Sequence, residues 1–363
     1  MSVVSRLEEP APDARPLERL PMPDDEADPP EASGGRGSGA ARAADRYAEG
    51  RTSARPAPWT AEDATGTASG AAGEATRAAA ARDAAEESAA FAHRPVPPDA
   101  TAAYGCGSEQ VIDFYAPRGA VDGPVPLVVA LHGGAWRAPY DRGHLSPFAD
   151  FLARRGLAVA NVEYRRGAAA APGGGLIAGR WPDTFDDVAA ALDALPDLAR
   201  TALPEADVRR LVLTGHSAGG HLALWGAARH VLPKDSPWYA PTTPALRGVV
   251  ALAPIADLAL ADKLNVCAGA VCQLLSPREE FPARLRLADP YSLLPTGIAT
   301  TLVHGREDIV VPAAVSESYA DAAAEAGEPV GLTLLDEVGH FPLIDPAADA
   351  CAVVAEEIRQ LAW

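Results

Sequence analysis

The sequence predicts an α/β protein with a mostly parallel, doubly wound sheet and a small helical cap insertion, preceded by a disordered N-terminal tail. From about residue 96, short runs rich in β-branched and other apolar residues alternate with longer helical patterns. This alternation is typical of a mostly parallel sheet whose strands are linked by helices. Residues 1–95 are dominated by Ala, Pro, Gly, Arg, Asp and Glu, a composition that cannot bury a core. The predicted domains are therefore a tail at 1–95 and one folded domain at 96–363.

The strands and helices are predicted from the period of the apolar residues. Strands are predicted at 110–115, 126–131, 157–163, 209–214, 248–253, 300–304 and 330–336. Helices are predicted at 145–155, 183–198, 218–231, 313–325 and 346–361. Residues 258–295 interrupt the alternation and are predicted to form the helical cap. Residues 71–92 are Ala-rich without an apolar stripe, so we expect at most a transient helix there that does not dock firmly.

Charge and composition restrict the kinds of partner that the chain is expected to bind. The chain of 363 residues has a formal net charge of −18, and both the tail and the remainder are acidic. A nucleic-acid partner is not expected, because phosphate binding needs a basic face. No signal-peptide pattern and no long apolar run are visible, so we expect a soluble, cytoplasmic protein without a membrane partner. The sequence does not predict the oligomeric state.

The cysteines are interpreted as structural thiols. They are too sparse for a disulfide framework and match no zinc spacing. They are Cys106, Cys267, Cys272 and Cys351. Whether Cys267 and Cys272 pair is left open.

A glycine-flanked serine follows one predicted strand and precedes a helix, in the sequence GHSAG at 215–219. Glycines at both flanks permit a sharp strand-to-helix bend that exposes the Ser217 Oγ. The helix that follows directs its N-terminal amides toward developing negative charge. Ser217 is therefore the candidate nucleophile. The alternative is that these small residues only pack the helix closely against the strand.

A serine nucleophile needs a histidine base and a carboxylate that orients the histidine. His340 lies in a loop between the last predicted strand and the last helix, and it is the candidate base. His304 lies within an apolar strand and is expected to make local hydrogen bonds instead. Asp308 follows a strand end and is the candidate acid, with Glu307 as its rival. Asp257 is expected to cap the first helix of the predicted cap.

Two successive glycines after a buried strand predict an oxyanion hole, in the sequence LHGGAW at 131–136. Such a turn lets backbone amides point inward and hold a negative oxygen. The candidate donors are the amides of Gly134, Ala135 and Ala218. His132 is expected to brace the turn. A plain glycine turn without a catalytic role is the alternative.

These motifs together resemble the α/β-hydrolase superfamily, closest to the kynurenine formamidase-like and hormone-sensitive-lipase-like esterases. The resemblance covers about residues 105–363, and the tail has no counterpart in the family pattern. HGGxW is the variant associated with kynurenine formamidases. The motifs that carry it are HGGAW at 132–136, GHSAGG at 215–220, HGREDIVVP at 304–312 and GHF at 339–341. The resemblance implies an α/β-hydrolase fold, an oxyanion hole at Gly134 and Ala135, and the triad Ser217, Asp308 and His340.

The sequence therefore predicts a serine hydrolase that cleaves carboxylic esters of small, partly aromatic substrates through an acyl-enzyme. Arylformamidase activity, which hydrolyses N-formylkynurenine, is the alternative reaction, and a non-catalytic protein that binds a small ligand is the alternative of another class. No metal or organic cofactor is expected. Trp136 and Tyr164 are candidates for lining the substrate pocket, with ordinary core packing as the alternative.

Overall fold

In the computed structural model, a sheet of eight strands runs through the described residues, which are 71–119, 123–167 and 177–363. The strands are β1 (Ala100–Ala103), β2 (Val111–Tyr115), β3 (Val125–Leu131), β4 (Ala158–Val162), β5 (Ala206–His216), β6 (Leu246–Leu252), β7 (Thr300–Gly305) and β8 (Val330–Leu335). Their order in the sheet is β1-β2-β4-β3-β5-β6-β7-β8. The β1–β2 and β2–β4 pairs are antiparallel, and the other pairs are parallel. This confirms the predicted mostly parallel sheet.

Helices connect most of the strands. They are α1 (Ala71–Ala92), α2 (Arg142–Ala153), α3 (Asp183–Ala202), α4 (Ala218–Ala227), α5 (Leu258–Lys263), α6 (Ala270–Leu274), α7 (Phe281–Ala288), α8 (Ala314–Glu325) and α9 (Asp349–Ala362). Short 3-10 turns lie at Arg229–Val231, Tyr291–Leu293 and Phe341–Leu343. None of the helices in this described part of the chain is long and apolar enough to cross a membrane.

The seven predicted strands and the five predicted helices are all present, with ends that differ by a few residues. The edge strand β1 is not predicted from the sequence. Its residues, ATAA, are small and carry no apolar alternation, so its pairing with β2 and not its own propensity makes it a strand.

Helices cover both faces of the sheet. On one face, Phe148 of α2 and Val354 of α9 belong to one buried cluster. On the other face, Phe185 of α3, Trp225 of α4 and Tyr319 of α8 belong to a second cluster. Strands β3 and β4 are buried along their whole length between these layers. The doubly wound arrangement predicted from the near-continuous apolar runs is thus confirmed.

The helices α5, α6 and α7 form the predicted cap insertion between β6 and β7. Asp257 caps α5 as predicted, since its Oδ1 accepts a hydrogen bond from the Leu260 amide at 2.8 Å. The other end of the insertion is bound to α4, because His221 Nε2 donates to the Ala288 carbonyl at 2.8 Å. Asp257 Oδ2 also accepts a hydrogen bond from Ser318 Oγ of α8 at 2.7 Å, so both ends of the insertion are bonded to helices that pack on the sheet.

The helix α1 is 22 residues long and docks on the folded domain. Arg82 Nη2 donates to the Glu307 carbonyl at 2.8 Å. Glu86 Oε1 accepts a hydrogen bond from the Gly339 amide at 3.2 Å. Both contacts join α1 to the loops that carry the candidate acid and base.

Aromatic and polar contacts continue this docking toward the end of α1. The Phe91 ring lies 5.5 Å from the Phe341 ring in an edge-to-face arrangement. His93 Nε2 lies 2.7 Å from Asp345 Oδ1. The structure thus differs from the expected disorder over residues 71–95, because α1 docks through charged and aromatic side chains and not through an apolar stripe. Residues 1–70, for which disorder is also predicted, lie outside the described residues.

Candidate active site

Ser217 lies at the bend between β5 and α4. Its φ of 57° and ψ of −118° place it in a region that non-glycine residues rarely adopt. Its amide donates to the Leu252 carbonyl at 2.8 Å. A Cβ at Gly215 would lie 2.3 Å from the Gly219 carbonyl oxygen, and one at Gly219 would lie 2.0 Å from the Leu131 carbonyl oxygen. Only glycine fits at both flanks, as the motif predicts.

His340 and Asp308 are directly paired. His340 Nδ1 lies 2.6 Å from Asp308 Oδ2, and both side chains are buried. Asp308 Oδ1 accepts hydrogen bonds from the Val310 and Val311 amides, both at 2.8 Å, which fix the direction of the carboxylate. Burial alone raises the pKa of Asp308, but the charges and hydrogen bonds of His340 and His304 outweigh it. The pKa is therefore held below its usual value, and Asp308 is ionised.

The side chains of His304 and Glu307, the alternatives for the base and the acid, make other contacts. His304 is fully buried, its Nδ1 lies 2.7 Å from Ser316 Oγ, and its Nε2 donates to the Val311 carbonyl at 2.8 Å. The predicted local hydrogen bonds of His304 are confirmed. The Glu307 carboxylate is about half exposed and lies 3.5 Å from Arg82 of α1. It pairs with α1, whereas Asp308 pairs with His340.

Ser217 and His340 line one cavity with a volume of about 60 Å³. An engineered cavity of about 150 Å³ binds benzene; this cavity is smaller but partly open to solvent, so a substrate can extend out of it. Besides Gly134 and Ala135, its walls include Asp83, Glu87, Phe91, Tyr140, Cys267 and Phe341. The first three of these belong to α1.

The turn after β3 has left-handed backbone at three successive residues. The φ values are 104° at Gly134, 50° at Ala135 and 55° at Trp136. Within the described ranges, no protein acceptor pairs with the amide of Gly134 or Ala135. Ala218 begins α4, so its amide also has no acceptor within the helix. These three donors beside Ser217 can hold a developing negative oxygen.

Trp136 and Tyr164 do not line the cavity, contrary to the expectation from the sequence. Both side chains are fully buried. The Trp136 ring packs edge-to-face on His221 at 5.1 Å. The Tyr164 ring stacks on His132 at 4.2 Å, and its hydroxyl donates to the His132 carbonyl at 2.6 Å. Core packing accounts for both residues, and His132, whose Nε2 lies 2.9 Å from Glu163 Oε1, braces the turn as predicted.

His216 lines the cavity, although it is not among the site residues predicted from the sequence. Its ring lies 4.3 Å from the His340 ring, and its Nε2 donates to the His340 carbonyl at 3.0 Å. Burial and the neighbouring His340 lower the pKa of His216 well below its usual value, so its ring is neutral and supports the His340 loop. The position of His216 next to Ser217 in the motif could have identified it as a cavity residue.

The cysteines are free thiols, and Cys267 and Cys272 do not pair. Cys267 belongs to the cap insertion and lines the cavity. Burial raises the pKa of its thiol to about 12. It is therefore a neutral wall residue and not a thiolate nucleophile.

The BD-FAE family model matches residues 112–322. The chain is 24% identical over 242 residues to a probable carboxylic ester hydrolase of Mycobacterium tuberculosis, a match that covers 65% of this chain and 54% of that protein. It is 26% identical over 271 residues to a probable isoprenylcysteine alpha-carbonyl methylesterase of Oryza sativa subsp. japonica, covering 70% of this chain and 60% of that protein. The chain thus spans little more than half the length of these relatives.

Solved structures with the same architecture include two esterases. A truncated form of a carbohydrate esterase from gut microbiota has a TM-score of 0.60 at 20% identity, covering 74% of this chain and 99% of that chain. Esterase B from Lactobacillus rhamnosis has a TM-score of 0.61 at 19% identity, covering 79% of this chain and 93% of that chain. With the sheet described above, these likenesses confirm the α/β-hydrolase fold.

Proposed function

The chain belongs to the BD-FAE family, and on that premise we propose that it is a serine hydrolase that cleaves carboxylic esters of small substrates through an acyl-enzyme. One observation carries the proposal: Ser217 stands on a strained bend and lines the same cavity as His340, whose Nδ1 lies 2.6 Å from the ionised Asp308. A strained, buried serine beside a histidine–carboxylate pair is the arrangement that activates a hydroxyl. The relatives named as ester hydrolases support the same reaction.

The proposed mechanism assigns one role to each group. Ser217 Oγ attacks the ester carbonyl carbon while His340 Nε2 takes the hydroxyl proton. Asp308 accepts the Nδ1 hydrogen bond, which fixes the tautomer and stabilises the imidazolium. His340 then donates that proton to the leaving alcohol, and the acyl group stays on Ser217.

Deacylation repeats the same steps with water. His340 Nε2 takes a proton from the water as its oxygen attacks the acyl carbonyl, and the acid leaves as the proton returns to Ser217 Oγ. In both halves the carbonyl oxygen becomes negative. The amides of Gly134, Ala135 and Ala218 are proposed to stabilise it, and each such donor contributes on the order of 10²-fold in rate.

The size of the cavity favours a short acyl group. At about 60 Å³, it admits an acetyl group more readily than a long chain, and a formyl group also fits. Formamide hydrolysis therefore stays as the second candidate reaction. A panel of acetyl, butyryl and octanoyl p-nitrophenyl esters and N-formylkynurenine, assayed on one preparation, separates these substrates.

The proposal is tested with a serine-reactive fluorophosphonate and the acetyl ester. We expect the parent protein to be labelled and to hydrolyse the ester, and Ser217→Ala to lose both properties. Ser88→Ala, an exposed serine of α1, is the matched control and is expected to keep both. Equal activity of Ser217→Ala and the parent would exclude Ser217 as the nucleophile. An unlabelled, inactive parent would favour the alternative of a non-catalytic binding protein.

A further inference from the structure

The helix α1 buries a charged face and exposes an apolar one. Asp83 is 8% exposed and Glu87 is 7% exposed, whereas Ala81, Ala84 and Ala85 are exposed. Residues four apart lie on the same face of a helix, so the two carboxylates form one buried stripe. Burying carboxylates while leaving alanines in water is unfavourable for packing. This orientation of α1 therefore needs a reason other than core formation.

Both carboxylates line the cavity that contains Ser217 and His340. Asp83 Oδ1 is buried and has no hydrogen-bond partner. In the part of the chain that the structure describes, no ion pair joins Asp83 or Glu87 to a basic side chain. Arg82, the neighbour of Asp83, is directed to Glu307 and Glu86 instead.

The attraction of His340, and for Asp83 also of Arg82, does not offset the burial of these carboxylates. Burial raises the pKa of both Asp83 and Glu87, and the repulsion between the two carboxylates raises the pKa of Glu87 further. Arg137 also lines the cavity, but its Nη2 donates to the Cys267 carbonyl at 2.8 Å. The two carboxylates thus face the cavity as a wall of hydrogen-bond acceptors, and a cation bound beside them stabilises their ionised form.

The remaining wall next to these carboxylates is aromatic. Phe91 of α1 lies 6.1 Å from the Tyr140 ring and 5.5 Å from the Phe341 ring, and all three line the cavity. Aromatic faces and carboxylates both attract an organic ammonium group. A hydroxyl can donate to a carboxylate, but it leaves the negative charge uncompensated.

We propose that Asp83 and Glu87 form a binding site for a protonated amine on the substrate, next to the ester that Ser217 attacks. The inference deepens the proposed function and rests on it. Asp83 and Glu87 are specificity-determining residues in this proposal, and they take no part in the bond-making steps. The preferred substrate class is thus a small ester with an ammonium group a few atoms from the carbonyl.

Two isosteric esters test the proposal. At pH 7, 2-(dimethylamino)ethyl acetate carries a protonated amine, and 3-methylbutyl acetate has a carbon in its place. We expect Asp83→Asn and Glu87→Gln each to lower the preference for the amine ester, expressed as the ratio of the two kcat/KM values, by about tenfold or more. The two esters differ in intrinsic reactivity, but this difference is the same for every protein. It therefore cancels when the kcat/KM ratio of a variant is compared with that of the parent. Glu74→Gln removes an exposed carboxylate of α1 and is expected to leave the ratio unchanged.

The outcomes separate this inference from the proposed function. If the parent hydrolyses 3-methylbutyl acetate but both variants keep the parent ratio, the amine site is wrong while the hydrolase stands. If the parent hydrolyses neither ester and resists the fluorophosphonate, the proposed function fails. A second pair of esters, 2-hydroxyethyl acetate and propyl acetate, tests a hydroxyl in place of the amine. If the variants lower only the kcat/KM ratio of this pair, the carboxylates bind a hydroxyl and the amine site is wrong.

A binding measurement covers variants that lose ester activity. The probe is ethyldimethylammonium chloride, and heat release on titration reports its binding to the intact chain. We expect binding to the parent and to Glu74→Gln, and binding at least about tenfold weaker to Asp83→Asn. Equal binding by Asp83→Asn and the parent would overturn the proposal.

Discussion

Replacing Asp308 by asparagine tests how the carboxylate controls the His340 ring. Asp308 Oδ1 accepts two backbone hydrogen bonds, from Val310 and Val311. An asparagine keeps both only if its carbonyl oxygen takes the place of Oδ1, because breaking buried hydrogen bonds costs about 1 kcal/mol or more each. Its NH₂ group then takes the place of Oδ2, 2.6 Å from His340 Nδ1. Since NH₂ donates, Nδ1 must accept, and the ring proton moves to Nε2.

A proton on Nε2 leaves His340 unable to take the proton of Ser217. The same tautomer change costs about 10⁴-fold in kcat in serine proteases, or about 5.5 kcal/mol. We expect a loss of that order for Asp308→Asn in p-nitrophenyl acetate hydrolysis. The matched control is Glu307→Gln, which changes an exposed carboxylate one residue away and should alter kcat by less than about twofold. A loss below about tenfold, or an equal loss in the control, would refute the assignment.

Two further predictions concern stability and the bend. Burial raises the pKa of Asp289 from 3.8 to about 6, so the folded protein binds this proton more tightly than the unfolded chain. The resulting stabilisation is full below about pH 4 and is lost as the pH rises to about 6, by about 3 kcal/mol in total. Urea unfolding across this range should show a pH dependence that is larger by this amount in the parent than in Asp289→Asn, and identical slopes would contradict it. Gly219→Ala places its Cβ 2.0 Å from the Leu131 carbonyl oxygen and should lower kcat by at least about 10²-fold. Gly156→Ala, whose Cβ meets open space at a φ of 82°, should cost about 1 kcal/mol of stability and leave kcat unchanged.

The relative placement of Ser217, Asp308 and His340 could be predicted because their signals are local. Each of the three follows an apolar strand, and strands of that kind are recognised within a few residues. The carboxyl ends of parallel strands meet at one edge of a sheet. Residues far apart in the chain are therefore predicted to lie together, and the structure brings Ser217 and His340 to one cavity with Asp308 bonded to His340.

The direction of side chains after a turn could not be predicted in the same way. Trp136 is the last of three successive left-handed residues, two of which are not glycine. Such backbone is rare outside glycine, so the sequence contains no signal that the Trp136 ring enters the core next to His221. Tyr164 likewise lies at the strand end, but its hydroxyl bonds to His132 and the ring turns away from the cavity. In both cases tertiary contacts decide the direction.

The docking of helix α1 could not be predicted for a different reason. Its sequence pattern predicts a helix that does not dock, whereas the structure shows a helix that does. An amphipathic helix is recognised by an apolar stripe that packs on the core, and α1 has none. It instead presents Asp83 and Glu87 to the cavity and leaves Ala81, Ala84 and Ala85 exposed to water. Functional sites often violate the rule that charged side chains stay exposed, and other contacts then offset the unfavourable burial. In α1 these contacts are the packing of the Phe91 ring on Phe341 and the hydrogen bond from the Gly339 amide to Glu86. The wall of the candidate site therefore begins within the segment whose composition predicts disorder, and a boundary drawn at residue 96 would divide the site.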